Sequence, residues 1–121
     1  MSLPAVHRLR DRRDFRRVYG RGTKHHSRHL ILRALAPTGV SPAREPTQVG
    51  ITVGRKVSRR AVVRNRIKRR IRAGLRLLLP KTEPGWKLVA VVKPEAIGCT
   101  YADFLQELEQ LLAKAGIWHG D

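Results

Sequence analysis

The sequence has one cysteine, few acidic residues and no long apolar run, and each shortage excludes a class of protein. Its longest uninterrupted apolar stretch is LVAVV at 88–92, far shorter than the roughly 20 residues that cross a bilayer. No apolar core of a signal peptide follows Met1, so we expect a cytoplasmic protein without membrane contact. Cys99 stands alone, which excludes an internal disulfide and a cysteine-based zinc site.

Acidic residues are outnumbered, nine Asp and Glu against 26 Lys and Arg, for a formal net charge of +17. A two-metal nuclease site needs grouped carboxylates, so we expect no catalytic residue in this chain. The 121 residues suit a single domain over 1–121, and 41% hydrophobic content argues against disorder. So much charge repels itself unless a polyanion shares it. We predict that this partner is nucleic acid, with an anionic membrane surface as the competing possibility.

The positive charge is concentrated in one part of the chain. Residues 1–76 hold 22 of the 26 basic residues, and residues 55–76 hold eleven, nine of them Arg, without one acid. Like charges spaced four apart, as at Arg64, Lys68 and Arg72, destabilise an isolated helix. Guanidinium groups bind phosphate oxygens through two hydrogen bonds at once. This pattern predicts that phosphates of a nucleic acid neutralise the segment.

Hydrophobic periodicity predicts an α+β fold, a two-layer sandwich with three helices on a small mixed sheet and room for one further short strand. The predicted order is helix (11–19), strand (29–36), strand (47–54), basic helix, strand (87–93) and helix (100–116). The basic helix crosses between two strands that should be parallel.

The basic helix carries an apolar stripe that can dock on the sheet, formed by Val63, Ile67, Ile71, Leu75 and Leu78. The periodicity places four arginines on its flanks or away from the sheet: Arg66, Arg69, Arg70 and Arg76. Arg64 falls at the edge of the apolar arc, so its side chain either extends along that edge or acts from the first turns of the helix.

Several segments of the chain resemble those of a known protein family. The segment GRKVSRRAVVRNRIKRRIR at 54–72 is similar to the signature of the protein subunit of bacterial ribonuclease P, in which an R-N-x-x-K-R core opens a basic helix after a strand. Segments 14–22, 49–56 and 89–96 extend the resemblance to about 10–115. Many members have a glycine in the turn before the helix, where this chain has Ser58, Arg59 and Arg60.

The resemblance implies a small protein bound to a large catalytic RNA, with which it removes the 5′ leader of precursor tRNA. Catalysis would belong to the RNA and its Mg²⁺ ions, while the protein helps to bind leader and metal. The family also implies a left-handed crossover between the parallel strands, against the usual handedness. No protein partner is expected.

Carried over by position, the resemblance assigns two sets of site residues. The RNA-facing set on and before the basic helix is Arg59, Arg60, Arg64, Asn65, Arg66, Lys68, Arg69 and Arg72. The cleft that receives the leader would contain Phe15, Tyr19, Arg55 and Lys56. The two aromatic residues lie four apart on one helix face, and the alternative for both, more so for Phe15, is a role in the core.

Three histidines are the remaining candidates for a metal or acid–base site in this chain. His25, His26 and His29 form an H-H-x-x-H cluster, but the nearest carboxylates in sequence are Asp14 and Glu45. We therefore expect no metal site, and interpret these histidines as partly exposed side chains near RNA or solvent.

Two other classes share the charge and the predicted fold. A ribosomal or general RNA-binding module would co-purify with ribosomes, and a DNA-compacting protein would prefer duplex DNA to structured RNA at matched salt. Neither class requires the RNRIKR segment at 64–69 after an apolar strand.

Overall fold

The computed structural model describes residues 3–37 and 45–118. Its elements are α1 (Arg12–Arg21), β1 (Thr23–His26), β2 (Leu30–Leu35), β3 (Gln48–Thr52), α2 (Ala61–Leu78), β4 (Lys87–Val92) and α3 (Tyr101–Lys114), with short 3₁₀ segments at Ala5–His7, Leu79–Lys81 and Pro94–Gly98. The predicted order is confirmed, and β1 is the further short strand. No helix in the described ranges is long and apolar enough to cross a membrane.

The four strands form one mixed sheet in the order β1-β2-β4-β3. β1 and β2 are antiparallel, as are β2 and β4, whereas β3 and β4 are parallel with Val49 opposite Leu88. The basic helix α2 therefore connects two parallel strands, as predicted. The left-handed sense of this connection stays a prediction. β4 is buried on both faces, Leu88 in one core and Val89 in the other, which explains why its sequence is almost continuously apolar.

α2 and α3 cover one face of the sheet and bury the main core. Leu32 and Leu88 of the sheet pack there with Ile71 of α2 and Phe104 and Leu108 of α3, all fully buried. This is the predicted two-layer sandwich. α1 packs on part of the opposite face, where Val18 is buried in a smaller core with Leu9, Leu35 and Val89.

Capping residues set the starts of α1 and α3 where the sequence predicted them, whereas α1 ends two residues later and α3 two residues earlier than predicted. The Asp11 carboxylate accepts a hydrogen bond from the Arg13 amide at 2.9 Å, and Thr100 and Asp103 form a capping box at the start of α3. α1 closes at Gly22, where a Cβ atom would lie 2.5 Å from the Val18 carbonyl oxygen. Only glycine fits this close approach.

Candidate nucleic-acid interface

The apolar stripe of α2 fixes which of its basic residues face outward. Ile67, Ile71, Leu75 and Leu78 are at most 1% exposed, and Val63 is half-buried against the same core. The remaining faces of the helix carry the predicted RNA-facing residues: Asn65, Arg66 and Arg69 are exposed, and Lys68 and Arg72 are half-buried at the flanks. The predicted rotation of the helix is confirmed. The predicted contact with RNA stays a prediction.

Ser58 holds the turn before α2. Many members of the family that this sequence resembles have a glycine in this turn. The Ser58 hydroxyl accepts a hydrogen bond from the Arg60 amide at 3.1 Å. The Arg64 guanidinium donates to the Ser58 carbonyl oxygen at 2.9 Å. The half-buried Arg64 side chain therefore reaches back from the first turn of the helix and braces the loop. This contact is compatible with both alternatives for Arg64.

Four basic side chains line an open pocket of about 650 Å³ beside this turn: Arg55, Lys56, Arg59 and Arg64. We call it the basic pocket. The resemblance assigned Arg55 and Lys56 to the leader cleft and Arg59 and Arg64 to the RNA-facing set, and the basic pocket brings the two pairs together. The first turn of α2 contains no acidic residue, so the partial positive charge of the helix N-terminus adds to the four side chains. Within residues 3–37 and 45–118, no carboxylate forms an ion pair with any of the four. An anion is the complementary ligand.

The face of the sheet that carries α1 is covered only in part. Strand register directs Ile31, Arg33, Val91 and Thr52 to this face, and Ile31 and Val91 remain half-buried while Thr52 is exposed. We call this surface, with the α1 side chains beside it, the α1 cleft. Its half-apolar floor and basic surroundings suit the bases and phosphates of a single strand.

Tyr19 presents an aromatic ring at the border of the α1 cleft. The residue is 42% exposed, and the guanidinium of Arg33 lies 4.6 Å from the ring centroid. Arg33 also donates a hydrogen bond to the Tyr19 carbonyl oxygen at 3.4 Å. The arginine thus supports the tyrosine ring from one side, in a cation–π arrangement. Sequence reasoning missed Arg33, although a charged residue in the apolar strand LILRAL was a signal.

Phe15 both packs against the sheet and borders a site. Its ring lies over Gly50, where a Cβ atom would fall 2.4 Å from the ring, so the glycine permits the close approach. The ring also lines a pocket of about 190 Å³ together with Arg8, Arg10 and Arg72. The packing on Gly50 supports a structural role, while contact of Phe15 with the leader stays a prediction. Arg8 and Arg10 were not among the predicted site residues.

The histidines occupy different environments, and one of them has a carboxylate beside it that proximity in sequence did not indicate. His26 is exposed near Lys93, Lys24 and Arg33, and its pKa is lowered by desolvation and then by these cations, which favours the neutral ring. The Nδ1 atom of His29 lies 2.6 Å from the Glu107 carboxylate. Glu107 is in α3, 78 residues along the chain, so proximity in sequence was the wrong criterion.

The fold and the charge distribution together define a class, that of small basic α+β proteins in which an arginine-rich helix connects two parallel strands. A model of the ribonuclease P family matches residues 3–116. The "Ribonuclease P protein component" of Microcystis aeruginosa is 49% identical over 120 residues, covering 99% of each chain. That of Cyanothece sp. is 54% identical over 129 residues, covering 98% of each.

Solved structures of similar fold come from the same family. The RNase P protein of Staphylococcus aureus superposes with a TM-score of 0.79, at 23% identity and over 93% of this chain and 98% of that one. The RNase P protein from Thermotoga maritima gives 0.74 at 23% identity, over 88% and 96%. The chain belongs to the ribonuclease P protein family. The sequence prediction of an RNA-binding subunit of this tRNA-processing endoribonuclease is thereby confirmed.

Proposed function

We propose that this chain binds the catalytic RNA of ribonuclease P with α2 and holds the 5′ leader of precursor tRNA in the α1 cleft. The observation that carries this proposal is the Tyr19 ring, half-exposed and backed by Arg33 at the border of the cleft. Single-stranded RNA is recognised chiefly by stacking of its bases on such rings. Arg55 and Lys56 follow the end of β3 and would bind leader phosphates.

The RNA body would contact the outward faces of α2 and the turn before it. Seven residues form this proposed surface besides Arg64: Arg59, Arg60, Asn65, Arg66, Lys68, Arg69 and Arg72. Arginine forks suit phosphate oxygens, and Asn65 can both donate and accept hydrogen bonds. Arg64 would contribute through the basic pocket while bracing the loop.

Catalysis would depend on Mg²⁺ held by the RNA. Mg²⁺ prefers octahedral sets of oxygen ligands, and the described carboxylates near the proposed interface are engaged otherwise. Asp11 caps α1, and Asp14 pairs with Lys87 at 3.3 Å and with Arg17 at 3.7 Å. These residues do not form a Mg²⁺ site. The chain would promote metal binding indirectly, because its positive charge reduces the repulsion between two RNAs.

The test of this function is the Tyr19→Ala substitution in the reconstituted holoenzyme. Loss of a stacking ring weakens binding by about 1–3 kcal/mol per base, so the affinity for precursor tRNA should fall by that amount. The affinity for mature tRNA, which lacks the leader, should stay the same. Fluorescence anisotropy with end-labelled precursor and mature tRNA measures both.

Two variants serve as controls, one for loss of folding and one for loss of an exposed tyrosine. Phe15→Ala removes a ring that packs on Gly50 and should lower the free energy of unfolding by about 3 kcal/mol, whereas Tyr19→Ala should leave it nearly unchanged. Tyr101→Ala removes a second exposed tyrosine, in α3, and should change neither affinity. Equal losses for precursor and mature tRNA with Tyr19→Ala would place the leader elsewhere.

Salt dependence tests the α2 surface separately. Each neutralised phosphate adds roughly −0.7 to −0.9 to the slope of log affinity against log salt concentration. Replacing the exposed Arg66 and Arg69 by Ala should therefore flatten the slope for ribonuclease P RNA by about one to two units. Filter binding over a range of KCl concentrations measures it.

Lys81 offers a matched control, because it lies beyond the other end of α2 and contacts the Trp118 ring at 5.8 Å. Lys81→Ala should leave the slope unchanged. A slope that responds to Lys81 and not to Arg66 and Arg69 would move the RNA to the opposite end of the helix.

A further inference from the structure

Three side chains distant in sequence meet where the β1–β2 turn contacts the start of α3. A ring nitrogen of His29, the sulfur of Cys99 and a carboxylate oxygen of Glu107 all lie within 4.8 Å of one another. We call this group the hairpin–α3 cluster. It lines neither the basic pocket nor the 190 Å³ pocket beside Phe15, and the proposed function gives it no role.

Hydrogen bonds already orient the acidic member of this cluster. The Oε1 atom of Glu107 accepts from the Ser27 hydroxyl and from the His29 amide, the latter at 2.8 Å. The Oε2 atom lies 2.6 Å from the Nδ1 atom of His29. Carboxylates that bind a metal are themselves held in place by hydrogen bonds from neighbouring donors, as the Oε1 atom of Glu107 is here.

The backbone on both sides fixes the thiol. Cys99 is 4% exposed, its amide donates to the Ala96 carbonyl oxygen at 2.9 Å, and its carbonyl oxygen accepts from Arg70 at 2.7 Å. The capping box of Thr100 and Asp103 begins at the next residue. The sulfur therefore has a defined position relative to α3.

We propose that the hairpin–α3 cluster binds one Zn²⁺ ion, with His29, Cys99 and Glu107 as ligands and water in the fourth position. Imidazole, thiolate and carboxylate are the ligands of zinc in proteins, at about 2.0–2.3 Å from the ion. Mg²⁺ prefers oxygen ligands alone, so this ion would differ from those of the RNA. The expected absence of a zinc site rested on the single cysteine and on the lack of a carboxylate near the histidines in sequence. A set of one cysteine, one histidine and one glutamate needs neither a second cysteine nor proximity in sequence, so that exclusion was too broad.

Binding requires small rotations and the release of protons. Ligands of a tetrahedral zinc ion lie roughly 3.3–3.8 Å apart, so the cluster must contract around Cys99 while the His29–Glu107 contact opens. The thiol proton leaves to solvent as the metal bonds form, and His29 binds as a neutral imidazole that keeps its one proton on the ring nitrogen that does not bind the ion. The thiolate and the carboxylate then balance the two charges of the ion.

The ion has a route from solvent. An open pocket of about 400 Å³ is lined by His29 and Glu107 together with Ser27, Arg28 and Asp103. Asp103 and Glu107 contribute negative charge near Cys99, and Arg28 and Arg70 contribute positive charge. These opposing charges leave the cluster less positive than the basic pocket. A bound ion would join the β1–β2 turn to α3 and stabilise the end of the sheet that carries His26 and Lys24.

Cobalt titration of the EDTA-treated full-length protein tests the proposal. Co²⁺ should bind one equivalent with a thiolate-to-metal charge-transfer band in the near ultraviolet, and Zn²⁺ should displace it. Cys99→Ala should abolish this band. We expect Cys99→Ala and His29→Gln each to weaken Zn²⁺ binding at least ~10–100-fold, since loss of even an outer-shell partner has that effect.

His26→Gln is the matched control, because His26 is an exposed histidine of the same hairpin outside the cluster, and it should bind as the unchanged protein does. Zn²⁺ should also raise the thermal midpoint of the unchanged protein and leave that of Cys99→Ala unaltered; in EDTA the two midpoints should agree. A titration without a thiolate band, or one that depends on His26 and not on Cys99, would overturn the proposal.

Discussion

The protein freed of all RNA is expected to leave precursor tRNA uncut, while its addition to ribonuclease P RNA lowers the Mg²⁺ concentration needed for leader removal. The first expectation follows from the interface, where Asp11 caps a helix and Asp14 is held in ion pairs. The second follows from the charge of +17, which offsets phosphate repulsion when two RNAs approach. Gel assays of end-labelled precursor tRNA over a Mg²⁺ series measure both.

The control for a general polycation effect is a variant with the same fold and less charge at the interface. The Arg66→Ala, Arg69→Ala double variant should require more Mg²⁺ than the unchanged protein, whereas Lys81→Ala should match it. Cleavage by nuclease-treated protein, or an equal Mg²⁺ response to both variants, would contradict the assignment of roles to RNA and α2.

The second large effect is expected from Glu107→Ala, which should lower the free energy of unfolding by about 1–3 kcal/mol. Glu107 is 9% exposed, and its removal leaves the Ser27 hydroxyl and the His29 amide and ring without their acceptor. Glu109→Ala, two residues along the same helix and exposed, should change stability by less than about 0.5 kcal/mol. Urea unfolding in EDTA measures both without a contribution from bound metal.

The contribution of Glu107 to the free energy of unfolding should decrease at acidic pH. Burial raises the pKa of the Glu107 carboxyl, but the hydrogen bonds from Ser27 and His29 outweigh burial and hold it below its ordinary value of 4.5. A lowered pKa stabilises the folded state above the ordinary value, and this contribution is lost as pH falls through the folded-state pKa. The unfolding midpoints of the unchanged protein and Glu107→Ala should therefore converge in acid, and a gap that is constant with pH would assign the effect to packing.

Sequence predicted the features that depend on neighbours along the chain. The stripe from Val63 to Leu78 identified the buried face of α2, and Asp11 and Thr100 marked the starts of two helices, because helical period and capping act within a few residues. The parallel pairing of the strands that flank α2 followed from the connecting helix.

Contacts between residues that are far apart in the sequence could not be predicted in this way. The Arg33 guanidinium meets Tyr19 only because β2 lies beside α1, and Glu107 reaches His29 across 78 residues. The fold and the basic surface were therefore predictable, while the partners that position individual side chains were not.

The central position of β4 also determines when the sheet can form during synthesis. β3 is hydrogen-bonded to β4 and to neither β1 nor β2, yet β4 is the last strand to leave the ribosome. Until residue 92 has emerged, β3 lacks its partner strand, and until α3 has emerged the apolar stripe of α2 lacks the helix that packs beside it. The segment 55–76 with its eleven basic residues is thus complete before it can be docked. Folding of this chain is expected to be a late, concerted event rather than a stepwise one.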